Sequence, residues 1–191
     1  MNIQIWRPEG RPRAIVQVLH GMAEHIGRYE RLAQALNGAG YLVVGQNHPG
    51  HGPDAEVLGY FADEKGWDVL LEQAHQVALA IKGEYPYLPI YLLGHSMGSF
   101  AAREYALRWG GELDGLILSG TGFYPKALCA AGKALAGLSQ PIKPAHMVDK
   151  IAFSGNNKAF APARTGFDWL SRDDCSAHLS TATRLGDWRQ R

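Results

Sequence analysis

The sequence is short of the features that would mark a disulfide-built, membrane-spanning or polyanion-binding chain. It has two cysteines, Cys129 and Cys175, in 191 residues. That is too few for a disulfide framework, and they are not spaced as metal ligands; Cys129 is expected to be a buried free thiol. Neither sign of charge dominates, because 19 Lys and Arg face 18 Asp and Glu for a formal net charge of +1. There is thus no electrostatic case for nucleic acid or an anionic membrane surface. No apolar run approaches the roughly 20 residues that cross a bilayer. The opening Met1-Asn2-Ile3-Gln4-Ile5-Trp6 lacks the basic and apolar stretches of a signal peptide, so a cytoplasmic location is the default expectation. Internal repeats and low-complexity tracts are also missing. What is present, 46% apolar and 19% charged residues, is the make-up of an ordinary globular domain long enough for one sizeable core.

Strand and helix patterns alternate, which predicts a mostly parallel, doubly wound α/β sheet. Short strands are expected at Ile3 to Trp6, Ala14 to Leu19, Tyr41 to Val44, Pro89 to Leu93 and Gly115 to Ser119. The second of these is apolar and β-branched throughout, as in strands buried on both faces. Between them, Tyr29 to Asn37 reads as an amphipathic helix with Leu32, Ala33 and Leu36 on its apolar face, stopped by Gly38 and Gly40. Gly66 to Lys82 reads as a long helix whose Leu70, Ala74, Val77 and Ile81 repeat at the spacing of a buried stripe. A further helix runs from Met97 to Trp109. Beyond Gly120 the character changes to an alanine-rich helix from Lys126 to Leu138, then Pro141 and Pro144, with no strand pattern up to Trp169. A helical cap over the sheet is the expected arrangement. The predicted organisation is a core over residues 1–121, a cap region over 122–173 and a tail over 174–191.

The chemistry is concentrated in Gly94-His95-Ser96-Met97-Gly98, a G-x-S-x-G sequence between an apolar strand and a helix. In that context it predicts a sharp strand-to-helix turn that holds the Ser96 hydroxyl above the sheet edge as a nucleophile. The helix that follows directs its free N–H groups and positive end at the place where negative charge would develop. The alternative is a glycine-rich turn in which Ser96 only caps the helix. A second cluster, His20-Gly21-Met22-Ala23-Glu24-His25, directly follows the second strand. There the backbone N–H of Met22, with that of Met97, would make an oxyanion hole of backbone dipoles. His20, Gly21, Glu24, Arg28 and His95 are read as supports of these loops, with a solvated helix start as the alternative for each of Glu24, His25 and Arg28. A third cluster is Asn47-His48-Pro49-Gly50-His51-Gly52. The histidines His20, His25, His48 and His51 lack zinc-site spacing and have no cysteine beside them, so they are read as loop structure around a pocket. No metal or cofactor is called for.

Together these segments, with Gly27-Arg28-Tyr29, Gly50-His51-Gly52 and Phe167-Asp168-Trp169-Leu170-Ser171-Arg172-Asp173, resemble the monoacylglycerol lipase and lysophospholipase branch of the α/β-hydrolases, the serine aminopeptidase-like group. The resemblance covers about Asn2 to Asp173. It implies a serine hydrolase of carboxylic esters of single-chain lipids, with Ser96 as nucleophile, Met22 and Met97 as oxyanion donors, and a small ester or lipid as partner. Asn47 stands where the family usually has aspartate; asparagine keeps the acceptor oxygen and loses the charge.

The resemblance also implies an acid and a histidine on loops after late strands. Asp174 to Arg191 has no strand pattern and no likeness to the family, so those positions are expected to be missing, as after a frameshift or premature stop. Asp168 or Asp173 with His178 keeps the order Ser, acid, His, yet all three fall in cap or tail, and His178 is read as a surface residue. Without the general base, the expected activity is weak or nil. Binding and an oxyanion hole alone sustain roughly 10³–10⁴-fold over water. A non-catalytic remnant binding acyl ligands or a partner is the alternative function, and peptidase, haloperoxidase or acyl-transfer chemistry is open to the same fold. Ala127 to Leu138 is expected to pack on the core, with contact to a membrane surface as the other reading.

Overall fold

Why the central strands are central follows from which of their side chains alternate. In a computed structural model that describes residues 3–137, 156–162 and 168, the strands are β1 (Ile3–Trp6), β2 (Ala14–Leu19), β3 (Tyr41–Gln46), β4 (Ile90–His95) and β5 (Gly115–Ser119). They lie in the order β1-β3-β2-β4-β5, with β1 antiparallel to β3 and every other pair parallel. The mostly parallel α/β sheet predicted from the alternation is therefore present. All six residues of β2 are buried, because both faces of the sheet are covered there.

The period of two sends the strand side chains into two cores. Ile15 and Leu19 join Leu42, Val44, Ile90 and Leu92 beneath α2 (Gly66–Glu84) and α3 (Met97–Trp109). Val16, Val18 and Val43 face the other way, toward Ile26, Tyr29 and Ala33 at and before α1 (Glu30–Gly38). The stripe Leu70, Ala74, Val77 and Ile81 is buried as its spacing requires. The Lys82 ammonium closes the end of α2, donating to the carbonyls of Pro86 at 3.1 Å and Leu88 at 2.6 Å.

Several boundaries differ from the sequence reading by a residue or two, among them the end of α2 at Glu84 rather than Lys82. β3 runs two residues past Val44, because Gly45 and Gln46 still pair with Gln4 and Ile3 of β1. β4 extends to His95, which pairs with Ser119 of β5. The helix expected from Tyr29 is preceded by a 3₁₀ turn, Ile26–Tyr29. Leu32, placed on the apolar face of that helix, is 37% exposed; the stripe that reaches the sheet is narrower and centred on the buried Ala33.

β5 pairs with β4 on one side, and among the described residues no strand pairs its other edge. Its Leu116, Ile117 and Leu118 are each between 38% and 46% exposed, an apolar composition more usual in the interior of a parallel sheet.

The chain divides into two units, Met1–Gly122 and Phe123–Arg191. In the second, α4 (Lys126–Gly137) and a 3₁₀ segment, Asn156–Phe160, are described. Cys129 is exposed, against the buried thiol expected. The described side chains of this helix, Ala127, Cys129, Ala130, Ala131, Lys133 and Ala134, are all exposed. Alanine offers little area to bury, so this stretch has a weak hydrophobic claim on any core. Cys175, Asp173, His178 and the tail over 174–191 lie outside the described residues.

Truncating Leu92, which is fully buried between β2 and β5, tests the sheet core. Leu92→Ala is expected to cost about 2–5 kcal/mol, read as a lower urea midpoint at constant slope.

Candidate active site

The parallel strands β2, β3, β4 and β5 deliver their following loops to one edge of the sheet, the carboxyl edge where open α/β sheets place their sites. Ser96 sits there between β4 and α3, with φ 52° and ψ −118°. That conformation is strained for a residue with a Cβ. Hydrogen bonds hold it from both sides: the Ser96 N–H donates to the Ser119 carbonyl at 2.9 Å, and the Ser96 carbonyl accepts from Ser99 N–H at 2.9 Å and Ser99 Oγ at 2.6 Å. The Ser96 side chain makes no cap hydrogen bond to the helix, so the helix-capping alternative is not what the turn does. His95 places Nδ1 3.1 Å from Ser119 Oγ, tying the turn to the end of β5. Ser99 and Ser119 are site residues that the sequence reading missed. The position of Ser99 one turn into the helix, where its hydroxyl can reach back to residue 96, was the available signal.

Gly98 sets how closely the first turn of α3 approaches β2. A Cβ at this position would lie 2.0 Å from Leu19 O and 2.5 Å from His20 O, so only glycine lets the backbones meet. The same approach brings the β2 loop against the serine. A side chain at Gly21 would begin 3.2 Å from Ser96 Cβ. Met97 opens α3, and the Met22 side chain is exposed.

The β2 loop is braced from within. Glu24 Oε1 accepts from the backbone N–H of Gly21 and from the Tyr29 hydroxyl at 2.8 Å, while Glu24 Oε2 lies 3.4 Å from Arg28 Nη1. Ala23 takes a left-handed φ of 58° to make this return. Hydrogen bonding to Glu24 and burial push the Tyr29 phenol far up, burial being the larger cause. Asn47 Oδ1 accepts from Ile26 N–H at 2.9 Å, so the acceptor oxygen that asparagine shares with aspartate is the part in use.

Three histidines are buried beneath the loops. His20 and His48 have ring centroids 3.9 Å apart, and His20 and His51 5.4 Å. Their hydrogen bonds fix the tautomers. The Gly21 carbonyl can only accept, so His20 Nδ1, 2.7 Å away, carries a proton. His20 Nε2 accepts from the His48 backbone N–H at 3.0 Å. His48 Nε2 donates to the His20 carbonyl at 2.9 Å, and His51 Nδ1 donates to the Pro49 carbonyl at 2.9 Å. Burial is the main cause that holds His20 far below the ordinary imidazole range and brings His48 down to about 3, with neighbouring imidazoles adding to both shifts. Burial also lowers His51 and, before the Arg28 charge, the half-buried His25 at the start of the 3₁₀ turn. Among the described residues no group of three His, Cys, Asp or Glu side chains is placed to hold a metal ion.

Among the described residues no imidazole hydrogen-bonds to the Ser96 hydroxyl. Asp168, a residue of the second unit, is buried, and its suggested partner His178 lies outside the described residues, as does Asp173.

The neutral histidines make stability depend on pH in a stated direction. Their folded pKa values lie below the unfolded value of 6.5, so below that value the unfolded chain takes up protons the folded chain refuses. Stability is full above pH 6.5 and falls as the pH drops toward 5, by roughly 1 kcal/mol per pH unit for each of His20 and His48. Urea midpoints at pH 7 and pH 5.5, a range above carboxylate titration, read this directly.

The family model for serine aminopeptidase, S33, matches residues 10–183. The chain is 33% identical over 163 residues to a monoacylglycerol lipase from Mycolicibacterium smegmatis, covering 82% of this chain and 56% of that protein. It is 38% identical over 113 residues to a monoglyceride lipase from Homo sapiens, covering 59% of this chain and 36% of that protein. A highly thermostable carboxyl esterase from Bacillus coagulans, solved in complex with glycerol, superposes with a TM-score of 0.84 at 33% identity, over 94% of this chain and 59% of that one. The chain thus spans 36% and 56% of the lengths of the two lipases it matches. With a match that runs along most of its length and a sheet of the corresponding topology, the chain belongs to the serine aminopeptidase S33 family of α/β-hydrolases.

Proposed function

We propose that this chain carries the nucleophile and oxyanion half of a cytoplasmic serine hydrolase acting on carboxylic esters of single-chain lipids, monoacylglycerols or lysophospholipids. The observation that supports it best is the strained Ser96, free of any helix-capping bond and packed against the Gly21 loop. The names of the relatives, two monoacylglycerol lipases and a carboxyl esterase, favour an ester over an amide substrate.

In this reading the Ser96 Oγ attacks the ester carbonyl and passes its proton to a base. Negative charge gathers on the carbonyl oxygen, where the N–H groups of Met22 and Met97 and the positive end of α3 stabilise it. Collapse expels the alcohol, which takes up the proton, and leaves an acyl group on Ser96. Water then attacks the acyl carbonyl and frees the acid. The base is a histidine in complete sites of this kind, and none is bonded to Ser96 among the described residues. That observation favours a second reading, in which the site binds acyl ligands and turns them over weakly or not at all.

A fluorophosphonate probe separates the two. Labelling of the wild-type chain that disappears in Ser96→Ala is the expected result, followed by hydrolysis of a monoacylglycerol or lysophosphatidylcholine in preference to an aminoacyl amide. A chain that binds a fatty-acid ester reversibly and takes no label supports the binding reading instead.

Contact with a lipid surface is proposed for the stretch from Phe123 through α4. Phe123 and Tyr124 are 83% and 58% exposed, the described side chains of α4 are exposed, and the helix holds two lysines and no acid. No described helix is long and apolar enough to cross a membrane, so the contact would lie in the interface. Co-sedimentation with phosphatidylglycerol vesicles is expected to fall several-fold in a Phe123→Ser, Tyr124→Ser double variant.

A further inference from the structure

Two consecutive peptide groups in the β2 loop offer four polar atoms, and three of them are committed. In the His20–Gly21 peptide the carbonyl accepts from His48 Nε2 at 2.9 Å, and the N–H donates to Glu24 Oε1. In the Gly21–Met22 peptide the carbonyl accepts from His20 Nδ1 at 2.7 Å. The Met22 N–H alone has no partner among the described residues. The peptide is trans, so its N–H points opposite to its carbonyl. A carbonyl held against the buried His20 ring therefore aims the Met22 N–H away from the histidine cluster, on a loop whose Gly21 abuts Ser96.

We propose that His20 is a positioning residue for the oxyanion hole: its Nδ1–H holds the Gly21 carbonyl and so sets the direction of the Met22 N–H, and the His48 backbone N–H holds His20 in the tautomer able to do this. The inference rests on the role given to Met22 above. The alternative tautomer would place a lone pair at Nδ1 facing the Gly21 carbonyl, and a proton at Nε2 facing the His48 N–H. Both contacts would turn repulsive. Glycine at residue 21 makes rotation of this peptide easy, and a rotated peptide would point a carbonyl dipole at the developing oxyanion. Glu24 cannot prevent that rotation, because it holds the preceding peptide. His20 is the group that holds this one.

Long-range ¹⁵N–¹H spectra of the imidazoles, with phosphonylation kinetics of Ser96, test this on the intact chain. His20 is expected as the Nδ1–H tautomer and His48 as the Nε2–H tautomer at pH 7. In His20→Ala and His20→Gln the limiting phosphonylation rate is expected to fall about 10²-fold, the loss seen when one oxyanion donor is removed, with half-saturation by the probe unchanged. His20→Asn, whose amide N–H sits where Nδ1–H was, is expected to recover most of that rate. A purely structural role would instead lower the thermal midpoints without separating Asn from Gln. Equal rates in the Asn and Gln variants, or an Nε2–H tautomer at His20, overturn the proposal. Should wild-type Ser96 take no label, the hydrolase reading fails on its own. The imidazole spectra then still decide the proposal: Nδ1–H at His20 supports it, and Nε2–H ends it.

Discussion

The contact on which the site depends is the one between the first turn of α3 and the end of β2. Gly98 lies directly on the carbonyls of Leu19 and His20, so the loop after β4 and the loop after β2 are fixed against each other at backbone distance. β2 and β4 are already neighbours in the sheet, and that alone would bring the two loops to within a strand spacing. The missing Cβ takes them from neighbouring to touching, and it brings Gly21 against Ser96. A methyl group here would push α3 outward and separate the serine from the Met22 amide even if every strand kept its register. The strain at Ser96 follows from the same closeness. The chain must turn from strand to helix without leaving the loop it abuts, and the bonds from Ser119 and Ser99 hold the unfavourable dihedral angles in place.

Beneath that contact the loop supports are polar and buried, so each has to be satisfied or neutral. The protein uses both solutions. Glu24 keeps its charge where Gly21 N–H, Tyr29 OH and Arg28 can share it. His20 and His48 give up theirs: the neutral His20 ring offers the backbone one donor and one acceptor, and the neutral His48 ring offers it one donor. A protonated ring could not accept the His48 N–H. The neutral state is thus part of how the loop is drawn, and burial enforces it more strongly than any single hydrogen bond.

Much of this was legible in the sequence because it is written locally. Period-two strands, the Leu70 to Ile81 stripe and the glycines around Ser96 each follow from rules that act over a few residues, and they placed the sheet, α2 and α3 where they are found. The reading went astray where the deciding partner is distant. β3 was cut short because its last pairs are with β1, far back in the chain. Ser119 showed no sign of its bonds to Ser96 and His95, which arise only from the parallel register of β4 and β5. For Leu32 and Cys129 residue type alone points to apolar surroundings, and type does not decide how wide a buried face will be. The histidines read as loop structure from their sequence positions, yet their tautomers are set only once His20 and His48 meet each other's backbone groups.

The site as proposed is built almost wholly of backbone groups: an amide at Met22, an amide at Met97, the start of α3, and the carbonyls that hold them. Such groups are positioned by fold and by glycine, and they cost no reorganisation when charge appears. Proton transfer is different, since it needs a titratable side chain at hydrogen-bond reach of Ser96 Oγ, and the rings nearest the turn have nitrogens bonded elsewhere. His20 spends both ring nitrogens on the loops, His48 spends its Nε2 there, and His95 leans on Ser119 through Nδ1. Recruiting His20 as a base would undo the bonds that hold the β2 loop. The fold thus separates the two tasks physically. In the proposed hydrolase, stabilising the oxyanion would belong to the sheet edge formed by β2 and β4, and moving the proton would fall to a group that the loops of this edge do not already need.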